Sequence, residues 1–530
     1  MPYKPVVLIV LDGYGVNTKA PQSTWRYAKR PTFEALEKHY PFTTLQASGT
    51  AVGLPWGEEG NSEVGHLTMG AGRVIYSHLP RIIMAIQDGT FFENPAFKNA
   101  FAHKKKEKSR LHIMGLFSSG SVHAYVDHLY ALLDFAKKKG LKEVYLHLFT
   151  DGRDASPQEA AKFFSNLELR LEQLYPFARI VSVIGRHFAM DRDEHWDFIE
   201  KTYRLLTEGS GKPYERASLH VEENYKNNRH DEFIEPGFLS VSGGEENDKA
   251  VGRMQKGDAV IFFNYREDSA RELTRAFVLP SFDKFPRKKV QNLFFATMTE
   301  YEKMPQVEVA FPLTGIVQPL ARVISEAGLR QVHIAETEKY AHVTYFFNGG
   351  QEKPFPGEER ILIPSPAAPH FDEVPEMSAE KVTDAVVEAL DSYDFILVNF
   401  ANADMVGHTG NFEATVKALE VLDFSIGKMI PKILEVGGAA VVTADHGNAE
   451  EKLYKQTGEI RTKHTANPVP FFIIASDIKL RKEQTESEII KNYQEAKGML
   501  SDVAPTILEL LGLPFPSEME GISLLKKLIS

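Results

Sequence analysis

Acidic and histidine residues near the two ends of the 530-residue chain have the types and spacing of metal ligands. Asp12 closes the apolar run in VVLIVLDGYG, and Asp404 and His408 stand four apart in NADMVGH. Asp445 and His446 are adjacent in VVTADHGNAE, and His464 follows in KHTANPVP. Each Asp comes just after a run rich in Val, Ile, Leu or Phe, of the length of a buried parallel strand. Open α/β sheets bind ligands at strand C-termini, so three strands ending in Asp predict one shared site. Six hard or borderline ligands are too many for one tetrahedral ion and suit two divalent ions. The chemistry this predicts is two-metal phosphoryl transfer.

Ser62 in GNSEVGHL precedes a helix-like run. Alone it reads as an N-cap. Beside a metal cluster it reads as a nucleophile at a helix N-terminus, where free N–H groups favour an arriving phosphoryl group. The middle of the chain carries Arg153 and Asp154 in FTDGRDASP, Arg186, Asp191 and Arg192 in IGRHFAMDRD, and Arg266 in FFNYREDSAR. Each follows an apolar run, so three Arg-bearing loops converge more naturally on a carboxylate or phosphate than on separate ion pairs. His123 in SSGSVHAYVDH adds a donor or proton carrier. Lys339 in ETEKYAHVT, taken alone, is expected in solvent.

The elements that must position these residues alternate between strand-like and helix-like, which predicts an α/β fold with mainly parallel sheets. Strands are expected at Val6–Leu11, Leu111–Leu116, Val144–Phe149, Ile180–Ile184, Ala259–Phe263, Phe395–Val398, Ala440–Thr443 and Phe471–Ile474. Helices are expected at Val126–Lys139, Pro157–Leu174, Ser378–Asp391, Glu413–Glu435 and Asp502–Leu510, and long loops with short elements from Gly209 to Asp258. Metal-type ligands lie before about residue 70 and after about residue 400, and the Arg-rich loops lie between. One domain inserted into another explains this, with boundaries near Ile75–Arg81 and Phe311–Gln318. Residues 1–76 and 317–530 then form a discontinuous metal-binding domain, and 77–316 an inserted α/β domain.

Composition sets further limits. A chain of 530 residues exceeds one hydrophobic core. Net charge of −11 argues against nucleic acid or an anionic membrane as the main partner. Zero cysteines exclude disulfides and thiol chemistry and fit a reducing cytoplasm. The apolar run before Asp12 is too short for a signal peptide or a membrane span.

VLDGYG, GNSEVGH, SSGSVHAY, TDGRDASP, AMDRD, AETEKYAHVT, NADMVGH, TADHGNAE and KHTANPVP, in that order, resemble the cofactor-independent phosphoglycerate mutases of the alkaline phosphatase superfamily. The resemblance covers essentially the whole chain. It implies a phosphatase-like domain from both ends, an inserted transferase-like domain, and interconversion of 3- and 2-phosphoglycerate without 2,3-bisphosphoglycerate. It further implies that Asp404, His408 and His464 hold one divalent ion, usually manganese, and that Asp12, Ser62, Asp445 and His446 hold the other. Ser62 would become phosphoserine. His123, Arg153, Asp154, Arg186 and Arg192 would hold the glycerate, with Asp154 as proton carrier, and Arg266 and Lys339 would face the phosphoryl group. A monomer acting on a small molecule in the cytoplasm is expected, with water excluded from the phosphoserine by domain closure.

The chain departs from the family in FNYREDSARE, where Ser269 stands in place of a second Arg. Arg271 lies about 200° around a helix from position 269 and is no obvious replacement, whereas Arg253 from a neighbouring loop is a candidate. Rival readings are a phosphatase or a pentose-phosphate mutase on the same metal core, and a catalytically silent binding protein. The Arg-bearing loops favour a carboxylated phosphate ester over the first two. The intact Ser62 and ligand set oppose the third.

Overall fold

Val6–Leu11 is apolar at every position because both of its faces are covered, as in the centre of a parallel sheet. It pairs in parallel with Phe395–Phe400 on one side and Ala439–Thr443 on the other. The registers Leu11↔Phe400 and Val10↔Thr443 bring the three strands to an end at nearly the same level. Their C-terminal loops therefore open on one edge of the sheet.

The structure is a computed structural model, and it describes residues 2–18, 23–240, 250–312, 315–454 and 456–529. It divides into two compact units, Met1–Ser77 with Gly315–Ser530, and His78–Thr314. The first has an eight-stranded sheet in the order Glu358–Ile363, Gln331–Glu336, Phe395–Phe400, Val6–Leu11, Ala439–Thr443, Val469–Ile474, Phe42–Gln46, Ala496–Met499. Val469–Ile474 runs antiparallel to both neighbours, and the other pairs are parallel. The second unit has its own eight-stranded sheet centred on Leu111–Leu116, flanked by Val144–Thr150 and Ala259–Phe262. One antiparallel pair, Ala178–Gly185 with Gly237–Leu239, interrupts its parallel order. Each unit has its own hydrophobic core. The fold is α/β with two largely parallel sheets. Among the described residues no helix is long and apolar enough to cross a membrane.

Some local expectations need correction. Ala217–Lys226 is a ten-residue helix within the segment expected to be loops. Ala217 and Val221 are buried one turn apart, but buried His220 and Asn224 conceal that apolar face in the sequence. Residues 241–249 of that segment, and Leu313 and Thr314 of the second expected boundary, lie outside the described residues. Gln331–Glu336 was not expected as a strand, because Gln331 and His333 interrupt its apolar pattern. Both are buried and partnered, Gln331 donating to the Ala321 carbonyl at 2.6 Å and His333 Nδ1 to that of Val343 at 2.7 Å. The helix expected from Pro157 starts at Ala160, where Asp231 accepts the N–H groups of Glu159 and Ala160, each at 3.0 Å.

Candidate active site

The level edge of the first sheet collects the acidic ligands. Asp12 directly follows its strand, Asp404 sits in the short helix Asn402–Gly407, and Asp445 lies two residues beyond Thr443. Gly13 permits this crowding. Its φ is +75°, and a Cβ there would stand 2.7 Å from the Asp404 backbone. The helix Ser62–Ala71 docks on the same edge, and Gly65 lies so close that a Cβ would meet the Asp445 carbonyl at 2.7 Å. Asn61, rather than Ser62, is the N-cap, accepting from Val64 N–H at 3.0 Å. Ser62 is thus the first helical residue, and its hydroxyl is free for other work.

That hydroxyl donates to Asp12 Oδ1 at 3.0 Å and lies 3.0 Å from His446 Nε2. Lys339 donates to Ser62 Oγ at 2.9 Å, to Asp12 Oδ1 at 2.7 Å and to Asp404 Oδ2 at 2.6 Å. Far from being solvated, Lys339 is only 4% exposed and sits at the centre of the cluster. Burial in this unit favours neutral groups, but the close charges outweigh it. Lys339, then His446, hold Asp12 well below the usual carboxylate range, and Lys339, then His408 and His464, do so for Asp404. Asp445, Asp12 and Asp404 overcome burial and push the His446 imidazole up to about 10.

Ligand atoms of Asp404, His408 and His464 lie within 4.8 Å of one another, as do those of Asp12, Asp445 and His446. The donor chemistry fits divalent ions. His408 Nδ1 bonds the Thr462 carbonyl at 2.8 Å, His464 Nδ1 that of Gly60 at 2.8 Å, and His446 Nδ1 that of Gly447 at 3.3 Å. Each carbonyl takes the Nδ1 proton, so Nε2 is the atom turned to the carboxylates and, once it gives up its own proton, the one available to a divalent ion. His408 Nε2 and His464 Nε2 stand 3.0 Å apart beside Asp404, close enough to share one cation, either a proton or a divalent ion.

The expected substrate residues of the second unit line a cavity of about 250 Å³: His123, Arg153, Asp154, Arg186, Arg192 and Arg266, with Ser269 in the wall. Buried Asp151 shapes this wall and was missed in the sequence. It accepts the N–H groups of Arg153 and Asp154 at 3.1 and 3.0 Å and pairs with Arg186 at 2.7 Å. Arg186 also reaches Asp154 at 2.5 Å. Burial, aided by Arg186, lowers the His123 pKa to about 4, so the ring is neutral near pH 7. Asp268 joins Arg192 at 2.9 Å to Arg266 at 3.0 Å beside Ser269. Arg253 instead points to the Glu208 carbonyl at 3.5 Å, and Arg271 bonds the Tyr301 carbonyl at 3.0 Å. Neither lines the cavity, so neither stands in for an Arg at position 269.

His66, Asn399, Asn448 and Lys452 surround the cluster and were not singled out from the sequence. His66 carried a usable signal, since it is one helical turn from Ser62. The other three had none in a single sequence, because buried polar partners in the first unit are joined only by folding.

Residues 82–303 match the family described as BPG-independent PGAM N-terminus. A 2,3-bisphosphoglycerate-independent phosphoglycerate mutase of Clostridium botulinum is 45% identical over 529 residues, covering 99% of this chain and 100% of that protein. One from Chloroflexus aurantiacus is 47% identical over 547 residues, covering 98% of each. Among solved structures, a Leishmania mexicana phosphoglycerate mutase crystallised at low cobalt concentration matches with a TM-score of 0.53 and 31% identity, covering 98% of both chains.

Proposed function

The chain belongs to the 2,3-bisphosphoglycerate-independent phosphoglycerate mutases, and from that premise we propose a phosphoserine mechanism for its residues. The chain is an isomerase that interconverts 3-phosphoglycerate and 2-phosphoglycerate, with Ser62 carrying the phosphoryl group between the two oxygens. The observation that carries this reading is the Ser62 hydroxyl at the start of a helix, within 3.0 Å of Asp12, His446 and Lys339.

In the forward direction Ser62 Oγ attacks phosphorus and the bond from phosphorus to O3 of the glycerate breaks, O3 taking a proton from the Asp154 carboxyl, which the 2-hydroxyl restores in the second half-reaction. The Ser62 proton leaves toward Asp12 Oδ1, the acceptor it already faces. Lys339 neutralises the phosphoryl oxygens, and the helix N-terminus adds its free N–H groups. In the second half-reaction the glycerate 2-hydroxyl attacks the phosphoserine and Ser62 leaves as the hydroxyl again. Asp154 is assigned as the proton carrier and neutral His123 as its neighbour, with Nε2 3.7 Å from the carboxylate. Arg153, Arg186 and Arg192 are assigned to the glycerate carboxylate and hydroxyls, and Arg266 to the phosphoryl group.

Asp404, His408 and His464 would hold one divalent ion, and Asp12, Asp445, His446 and the Ser62 oxygen the other. Such ions, manganese in this proposal, supply a lowered Ser62 pKa and neutralisation of phosphoryl charge. The proposal extends to a monomer working in the cytoplasm, which the absence of cysteine supports.

The test is conversion of 3- to 2-phosphoglycerate with manganese and without 2,3-bisphosphoglycerate. The intact protein should convert, and Ser62→Ala should not while keeping its fold. Retention of more than a few per cent of activity in manganese-loaded Ser62→Ala refutes the phosphoserine route. Release of inorganic phosphate without isomerisation identifies a phosphatase instead.

A further inference from the structure

Two buried asparagines outside the ligand set each bind one carboxylate of the cluster. Asn399, on the strand Phe395–Phe400, donates from Nδ2 to Asp12 Oδ2 at 2.8 Å and lies 3.1 Å from His66 Nε2. His66 Nδ1 faces only acceptors, the Ser62 carbonyl at 2.9 Å and Asp445 Oδ2 at 3.2 Å. The proton therefore sits on Nδ1, and Nε2 accepts from Asn399. A hydrogen-bonded link thus runs from Asp12 through Asn399 and His66 to the backbone of the nucleophile, with Asp445 Oδ2 3.2 Å from the same His66 nitrogen. Both linking residues are fully buried.

The second link has the same logic with different residues. Asn448 Nδ2 donates to Asp404 Oδ1 at 2.8 Å and to the Asp404 carbonyl at 3.2 Å. Its Oδ1 accepts from Lys452, whose Nζ also donates to the Gly407 carbonyl at 2.8 Å. Gly407 leaves the room this needs, since a Cβ there would lie 2.8 Å from Asn448 Oδ1. Lys452 is 1% exposed and acts on Asp404 through Asn448.

We propose that Asn399 with His66, and Asn448 with Lys452, are two separate positioning pairs, each setting the divalent-ion affinity of one ligand triad. The first serves Asp12, Asp445 and His446, and the second serves Asp404, His408 and His464. The inference rests on the two-metal reading above. Its physical basis is that an amide N–H on one lobe of a carboxylate fixes the direction of the remaining lone pairs, so that no rotational freedom is lost on binding an ion.

The experiment is a manganese titration, followed by calorimetry and by the loss of the free-ion spin resonance signal, in two backgrounds. His464→Ala leaves the Asp12 triad intact and His446→Ala leaves the Asp404 triad intact. Asn399→Leu should weaken the remaining site roughly ten- to a hundredfold in the first background and leave it unchanged in the second. Asn448→Leu should do the reverse. Equal weakening of both sites, or of neither, overturns the proposal. His66→Gln and Lys452→Met repeat the comparison should either Leu variant fail to fold, as judged by circular dichroism. If the intact protein binds no manganese, the two-metal reading fails first and takes this inference with it. If it binds two ions and the variants behave alike, only the inference fails.

Discussion

Replacing Ser269 by Arg tests how completely the cavity beside Arg192 and Arg266 is furnished for the phosphoryl group it is proposed to bind. The charged residues lining it are four Arg and three Asp, so an added guanidinium strengthens a lining that is already net positive toward an anionic substrate. Ser269 is 4% exposed and its neighbours Arg192 and Arg266 are already drawn together by Asp268, leaving the cavity as the open direction for a longer side chain. A hydrogen bond to a charged group contributes about 1.5–3 kcal/mol, and a guanidinium makes two to a phosphoryl group when it binds as a fork. Ordering the side chain costs about 2 kcal/mol. The net gain is about 1 kcal/mol or more, at least several-fold in kcat/KM for 3-phosphoglycerate. Ser269→Ala should change it little. The assay is steady-state isomerisation coupled to consumption of 2-phosphoglycerate, on protein shown to be folded and loaded with manganese. A neutral or harmful Ser269→Arg refutes the reasoning and means that Arg192 already completes the clamp with Arg266. Loss of activity in Ser269→Ala means that the hydroxyl itself binds substrate.

Burial next to Asp191 pushes the Glu272 carboxyl up to about 7, and Glu272 Oε1 accepts the Glu194 N–H at 3.1 Å. A raised carboxyl favours folding below its unfolded value near 4.5 and loses that contribution as pH rises through about 7. Glu272→Gln should therefore gain up to about 3 kcal/mol on the wild type between pH 5 and pH 8 in denaturant unfolding, and an unchanged difference refutes this. Lys339→Met leaves Asp12 and Asp404 without their buried cation, so the metal-free protein should lose about 3–5 kcal/mol. Added manganese should recover part of that loss, and a variant as stable as wild type under chelator contradicts the assignment. Chelation should abolish isomerisation and lower the unfolding temperature, with both restored by manganese; an enzyme indifferent to chelator has no divalent-ion requirement.

Much of this protein was written in its local sequence. Val6–Leu11 and Leu111–Leu116 have the ends expected from their apolar runs, because a strand buried on both faces needs no partner-specific pattern. The α/β class and the residues of Asp and His type were readable for the same reason: strand ends and ligand chemistry are local properties. Tertiary structure decided what no window of sequence contains. The start of the Ala160 helix depends on Asp231, the strand Gln331–Glu336 on carbonyls that satisfy its buried polar side chains, and the Ser62 hydroxyl's freedom on Asn61 taking the cap. Lys339, ordinary as a lone residue, is drawn into the cluster because three buried carboxylates demand a cation and the end of Gln331–Glu336 delivers one there. The links through Asn399 and Asn448 follow the same rule. A buried charge is tolerated only where the fold supplies partners, and for Asp12 those partners, Asn399 and Lys339, come from segments hundreds of residues away.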